Sequence, residues 1–236
     1  MRAIIVADGD PPSRAALDAA WPGWETGVGL VVAADGGAVA ARALGLAVDV
    51  LVGDADSIAP DEVERLAMAG VDVETAAVDK DETDTELALL AAIRRGATEL
   101  TVLGAFGGAR LDHALANVGL LAHPGLEGRP IELLDGRTRV RELVAPGPDG
   151  GPATLGLPGR VGGLVSLLPA SDDVEGVTTS GLRYPLADES LPLGPARGVS
   201  NVRLAADARV TLRRGRLLVI DTSAPSADPS APGGRP

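Results

Sequence analysis

Leu30-Val31-Val32-Ala33-Ala34-Asp35-Gly36-Gly37-Ala38-Val39-Ala40-Ala41-Arg42-Ala43-Leu44 (residues 30–44) joins an apolar run, an acid with two glycines, and a helical stretch. Shortly afterwards Val50-Leu51-Val52 repeats the apolar run and again ends on acids, in Gly53-Asp54-Ala55-Asp56-Ser57. Apolar runs that do not alternate with polar residues mark strands buried on both faces. The same signature opens the chain at Ala3-Ile4-Ile5-Val6 and returns at Leu100-Thr101-Val102-Leu103 and Ile131-Glu132-Leu133-Leu134. Helical patterns fall between, at about 13–20, 38–44, 60–69, 83–95 and 110–122. The helix from Thr83 has capping-box spacing to Glu86, a predicted buried stripe of Leu87, Leu90 and Ile93, and Gly96 as its stop. Strand and helix in alternation predict a parallel sheet covered on both faces, a doubly wound (Rossmann-like) α/β domain over residues 1–135.

From about Arg137 the texture changes. Glycine and proline rise, helical periodicity ends, and strand-like runs appear at 140–144, 164–168, 199–204, 209–212 and 217–220. Arg213-Arg214-Gly215-Arg216 reads as a hairpin turn between the last two. Residues 136–222 are therefore expected to form an all-β, sandwich-like domain. Residues 223–236, rich in Pro, Ser, Ala and Gly, read as a disordered tail.

The bulk numbers exclude several classes. The formal net charge is −12 and no basic run is present, so a nucleic-acid partner is not expected. There is no apolar stretch long enough to span a membrane and no signal-peptide pattern at Met1-Arg2. Cysteine is absent, which removes disulfides and thiolate metal sites and fits a cytoplasmic setting. An acidic protein that binds a polyanion needs local positive charge, from side chains or from metal ions.

The acids gather where that need could be met. Asp8 follows the first strand, Asp35 the second, Asp54 and Asp56 the third, and Asp79, Asp81 and Asp84 a fourth. The carboxyl ends of parallel strands share one edge, where ligands bind, so these residues are expected to converge. Asp54 and Asp56, one residue apart, can both reach one cation, and hard oxygen donors suit Mg²⁺. Asp79-Lys80-Asp81-Glu82-Thr83-Asp84 adds oxygens and the only lysine at the mouth of a helix, a place that favours anions. A third segment, Gly104-Ala105-Phe106-Gly107-Gly108-Ala109-Arg110-Leu111-Asp112-His113, runs from a strand through a glycine loop into a helix. Its backbone amides and the Arg110 fork are suited to phosphate. Trp21 and Trp24 are read as a local apolar cluster, His113 as packing or hydrogen-bonding near the helix start, and His123 as a residue near a loop with no part in function.

Asp35-Gly36-Gly37, Gly53–Ser57, Asp79–Asp84 and Gly107–His113, in this order and spacing, resemble the catalytic domain of the thiamine pyrophosphokinase family. Gly181-Leu182-Arg183-Tyr184-Pro185-Leu186 and Ser200-Asn201 look like that family's thiamine-binding β domain, so the resemblance runs over roughly 1–221. There are departures: the glycine turn is one residue longer before Arg110, and Ala55 and Thr85 replace frequent aromatics. The resemblance implies that ATP and thiamine give thiamine diphosphate and AMP. It implies that Asp54, Asp56 and Asp84 hold Mg²⁺, with Asp54, Asp84, Arg110 and Asp112 catalytic. Asp35, Ser57, Lys80, Asp81, Thr83, Gly107, Gly108 and Arg110 would surround the ATP, and Tyr184, Ser200 and Asn201 the thiamine. Either Asp112 or Asp84 could take the hydroxyl proton. The family also implies a homodimer with the active site shared between subunits. Two alternatives stand beside it: a pyrophosphokinase acting on another hydroxymethyl heterocycle such as a pterin, and a non-catalytic thiamine or nucleotide sensor.

Overall fold

In the computed structural model, residues 1–53, 60–75 and 81–224 are described. The chain divides into two compact units, Met1–Gly136 and Arg137–Pro236. In the first, six strands run in the order β6-β5-β1-β2-β3-β4, all parallel. They are β1 (Arg2–Val6), β2 (Val28–Ala34), β3 (Val50–Gly53), β4 (Asp72–Thr75), β5 (Glu99–Leu103) and β6 (Ile131–Leu134). The order reverses beside β1, between β2 on one side and β5 on the other. Five helices connect them: α1 (Arg14–Ala20), α2 (Gly37–Ala43), α3 (Pro60–Met68), α4 (Asp84–Arg94) and α5 (Leu111–Gly119).

The apolar runs became strands because both of their faces are covered. Ile4, Val6, Val31 and Leu103 pack with Leu17 of α1, Ala40 and Ala41 of α2, and Trp24. Their chain neighbours Ala3, Ile5, Val32 and Val102, which point the other way, are equally buried. Trp21 and Trp24 join this cluster, as the sequence suggested. β4 carries no such run; its pattern is exposed and half-buried, which suits an edge strand and left the strand expected before Asp79 without a place in the sequence. The stripe expected on α4 is corrected. Leu87, Leu90 and Ile93 are only half-buried, while Thr85, Ala88, Leu89, Ala91 and Ala92 face inward. The alanines let this helix lie close against β1, β2 and β3, with which it is in contact.

The second unit is wholly β among its described residues. One antiparallel sheet has the order β11-β9-β13-β7, built from β7 (Thr138–Ala145), β9 (Leu164–Pro169), β11 (Asn201–Val202) and β13 (Gly215–Thr222). The other has the order β10-β12-β8, from β8 (Ala153–Pro158), β10 (Thr178–Ser180) and β12 (Asp207–Leu212). Leu143, Val165, Leu167, Leu217 and Val219 of the first share one core with Leu157, Val210 and Leu212 of the second. The hairpin expected at Arg213–Arg216 is corrected, because β12 and β13 belong to different sheets. Gly215, at φ +100, carries the chain from one sheet to the other, and a Cβ there would stand 2.7 Å from the Asp173 carbonyl.

One end of this core is ionic. Asp221 is 1% exposed and accepts from Arg203 Nη2 at 2.5 Å, Arg141 Nη2 at 2.9 Å and Arg139 Nη2 at 3.2 Å. Arg139 and Arg141 also donate to the Pro158 and Gly156 carbonyls of β8, tying the two sheets together. The expected tail begins at Ser223, yet the Ser223 amide donates to the Arg137 carbonyl at 2.8 Å. The rest of that tail, residues 225–236, lies outside the described residues.

Candidate functional site

The carboxyl ends of β1, β2, β3 and β5 are laced together by backbone hydrogen bonds. Ala7 N–H donates to Leu103 O at 2.8 Å, Gly9 to Gly104 O at 3.0 Å, Asp10 to Phe106 O at 2.9 Å and Asp35 to Val52 O at 2.9 Å. This lacing brings sequence-distant acids to one edge. Asp35 is buried and sits at φ +47, a left-handed conformation that costs a non-glycine residue about 1 kcal/mol or more. Glycines make the room. A Cβ on Gly36 would stand 2.1 Å from Asp8 Oδ1, and one on Gly53 would meet Asp35 Cβ at 3.2 Å and Asp84 Oδ1 at 3.3 Å. Asp35 and Asp84 therefore both approach Gly53, the residue directly before Asp54, on the side where a Cβ would project. A small recess opens beside them, lined by Asp35, Val52, Gly53, Val63, Val73 and Thr75.

Asp84 owes its place to the start of α4. Thr83 is the N-cap, with its hydroxyl accepting from Glu86 N–H at 3.2 Å. The reciprocal half of the capping box is not made. The Glu86 carboxylate instead meets His123 Nε2 at 3.2 Å, while His123 Nδ1 accepts from Gly125 N–H at 3.0 Å. His123, read from sequence as a bystander, thus ties the loop after α5 to the first turn of α4. Asp81 lies exposed just ahead of that turn.

The glycine loop after β5 takes left-handed φ at Gly104, Gly107 and Gly108. A Cβ on Gly104 would stand 2.5 Å from the Ala7 carbonyl, and one on Gly107 2.3 Å from Asp10 Oδ2. Buried Asn117 of α5 donates to the Ala105 carbonyl at 2.9 Å and pins the loop from beneath. Neither Asp10 nor Asn117 was singled out in the sequence, although Asn117 is the one amide side chain on an otherwise apolar and charged helix. Arg110 caps α5 without a side-chain cap bond, and both it and Asp112 are well exposed. Its guanidinium grips Asp112, Nη2 to Oδ2 at 2.5 Å and Nε to Oδ1 at 3.2 Å. That hydrogen bonding is the main reason the Asp112 carboxyl falls to about 2. The arginine is raised by the same contact. His113 is exposed.

Asp54, Asp56, Ser57, Asp79 and Lys80 lie outside the described residues. Among the described residues no three acidic or histidine side chains come close enough together to hold a metal. Asp35 and Asp84, which both approach Gly53 where a side chain would project, carry the oxygen donors that a hard cation prefers.

In the second unit, Tyr184, the only tyrosine, is 65% exposed and not part of the core. Ser200 has φ +61, and its N–H donates to Ser166 Oγ at 3.0 Å. The Asn201 amide brackets the Tyr184 peptide: Oδ1 accepts from Tyr184 N–H at 3.0 Å and Nδ2 donates to Tyr184 O at 2.7 Å. The structure brings Tyr184, Ser200 and Asn201 together, as it brings Asp35 to Asp84 and Arg110 to Asp112.

An α/β unit with acids, a glycine loop and an arginine at its strand ends, followed by a β unit, has the architecture of a class of two-unit transferases. The chain belongs to the thiamin pyrophosphokinase family: residues 25–133 match the model of its catalytic domain and 157–217 that of its vitamin B1 binding domain. It is an enzyme of that kind. A thiamine pyrophosphokinase of Bacillus subtilis (strain 168) is 28% identical over 168 residues, 71% of this chain and 75% of that protein. The crystal structure of thiamine pyrophosphokinase from Bacillus subtilis aligns with a TM-score of 0.79 at 26% identity, covering 94% of this chain and 99% of that one. That from Geobacillus thermodenitrificans gives 0.76 at 28% identity, covering 96% and 99%. Among the described residues no helix is long and apolar enough to cross a membrane.

Proposed function

We propose that the chain transfers the pyrophosphoryl group of ATP to the hydroxyethyl oxygen of thiamine, releasing thiamine diphosphate and AMP. The observation that carries this is the meeting of Asp35, Gly53 and Asp84 at the carboxyl edge of the parallel sheet. The reversal of strand order beside β1 supports a doubly wound catalytic unit, and the core shared by two antiparallel sheets supports a sandwich-like thiamine-binding one.

In this reading the hydroxyl oxygen forms a bond to the β-phosphorus and the bond from that phosphorus to the α,β-bridging oxygen breaks. AMP keeps the bridging oxygen. Asp54, Asp56 and Asp84 would hold Mg²⁺, which supplies positive charge against the phosphate oxygens. Asp35, Ser57, Lys80, Asp81 and Thr83 would line the ATP, with the amides of Gly107 and Gly108 turned to its phosphates. Arg110 would neutralise charge that grows on the transferred group, a contribution of about 3–4 kcal/mol for one well-placed donor. Asp112 suits a different task from the one first considered. A carboxyl held at about 2 is a poor proton acceptor near neutrality, and its bidentate grip aims Arg110 instead. Proton acceptance then falls to the carboxylates at the strand ends. Tyr184, with its ring exposed, supports stacking on thiamine, whose flat cationic ring suits an aromatic face. Ser200 and Asn201 stand beside it. The working form is proposed to be a cytoplasmic homodimer with the site shared between subunits.

Purified protein incubated with ATP, Mg²⁺ and thiamine should yield AMP and thiamine diphosphate in equal amounts on nucleotide chromatography. Stoichiometric ADP would replace the pyrophosphoryl reading with simple phosphoryl transfer, and turnover of a hydroxymethylpterin in preference to thiamine would replace the acceptor.

A further inference from the structure

We infer that Asn201 is a positioning residue whose side-chain amide is spent on the backbone of Tyr184, so that it sets the acceptor specificity through that ring; this rests on the proposed thiamine chemistry. The hydrogen-bond inventory of the amide carries the inference. Oδ1 accepts from Tyr184 N–H at 3.0 Å and from Val202 N–H at 2.9 Å, which uses both lone pairs. Nδ2 donates to Tyr184 O at 2.7 Å, leaving one N–H. Such a group has little left to offer a ligand, and it grips one residue at two points. The residue it grips is 65% exposed, and its ring is no part of the buried core.

The surroundings hold the clamp in place. Arg183 N–H donates to Val202 O, and the Gly181 carbonyl accepts from Leu204 and Ala205 N–H, so residues 181–184 lie along residues 201–205. Ser200, immediately before the clamp, is kept in its left-handed conformation by Ser166 Oγ. Strain of that kind persists only where neighbours over-determine the geometry. Arg203, two residues on, is anchored in turn by Asp221 at 2.5 Å. No covalent step is involved. The clamp acts by reducing the conformations the exposed aromatic must give up when a flat cation binds.

The experiment pairs kinetics with a probe of the free protein. Because Tyr184 is the only tyrosine, fluorotyrosine incorporation gives a single ¹⁹F resonance. In Asn201→Ala that resonance should move toward the position of an unfolded chain while the melting temperature stays within a few degrees. The thiamine KM should rise by about three- to thirty-fold, the range a lost aromatic contact spans, with the ATP KM unmoved. Asn201→Asp keeps the acceptor and loses the donor, and should fall between Ala and the wild type. In a Tyr184→Ala background the Asn201→Ala change should add less than about two-fold, because a residue acting through another has nothing left to act on. Effects that multiply in the double variant would show direct ligand contact and overturn the inference, as would an unmoved ¹⁹F resonance. Should the wild-type protein form no thiamine diphosphate, the proposed reaction fails, while the ¹⁹F shift still decides whether Asn201 holds Tyr184.

Discussion

Single side chains divide into those that carry chemistry and those that aim them. Asp84 stands at the first position of α4 and approaches Gly53. Asp84→Asn should lower kcat by about a hundred-fold or more at saturating Mg²⁺, in line with losing a charge-stabilising oxygen. Its melting temperature should fall only slightly, since an acid at a helix start contributes about 0.3–1 kcal/mol. Steady-state kinetics and a thermal melt check both halves, and Asp54→Asn and Asp56→Asn should behave alike. For Asp112 the sign follows from the direction of its shift. The folded carboxyl lies at about 2, below the usual 3.8, so the pair with Arg110 is fully formed above the ordinary value and is lost as pH falls through about 2. An acid limb in the pH–rate profile above pH 4 therefore belongs to another group. An NMR titration should place the Asp112 midpoint near 2 and return it toward 3.8 in Arg110→Ala. Tyr184→Ala should raise the thiamine KM and leave the melting temperature nearly unchanged. A buried tyrosine would instead cost about 3–5 kcal/mol when truncated, and the exposure of this ring excludes that outcome.

Elements show which physical signals a sequence carries. β1, β2, β3 and β5 were readable because burial on both faces demands an unbroken apolar run. β4 and β8 were not: the first is an edge strand of mixed polarity, and the second carries Gly156 and ends at Pro158, residues that weaken a strand signal. The hairpin reading failed because an Arg-Arg-Gly turn fixes where the chain bends but not which sheet each arm joins. In α4 the leucines and isoleucine drew the expected stripe, whereas alanines allowed the closer approach. The meeting of Asp35 and Asp84 was legible since strand ends and acids could be counted together, and the approach of Asn117 to Ala105 and of Asp10 to Gly107 was not, because contacts between a side chain and another segment's backbone leave no spacing pattern. The turn from β2 into α2 offers a direct test. A Cβ on Gly37 would stand 2.0 Å from the Val6 carbonyl, and backbone cannot yield as a side-chain tip can. Gly37→Ala should destabilise the first unit by about 1–3 kcal/mol, measured by urea unfolding, as overpacked sites do.

At the level of the whole chain, two units each close their own core, and the second depends on one buried acid. Asp221→Ala would strand the Arg203 guanidinium, whose side chain is 3% exposed, without its partner. Losing one member of a buried pair costs about 3–5 kcal/mol. Calorimetry should show a markedly lowered transition, while Asp207→Ala, a change at an exposed acid of β12, leaves the trace unchanged. Truncation after Ala224 should spare both melting temperature and activity, because it keeps the Ser223 bond to Arg137. The position of β13 has a consequence for how the protein is made. That strand lies between β7 and β9, pairing with both, although it is the last of the three to be synthesised. Until the ribosome has delivered residue 222, β7 and β9 lack the strand that joins them, and β9 has only the two-residue β11 beside it. The four-stranded sheet of the second unit therefore closes only when its last strand arrives. During that interval it is the part of the newborn chain most in need of a chaperone.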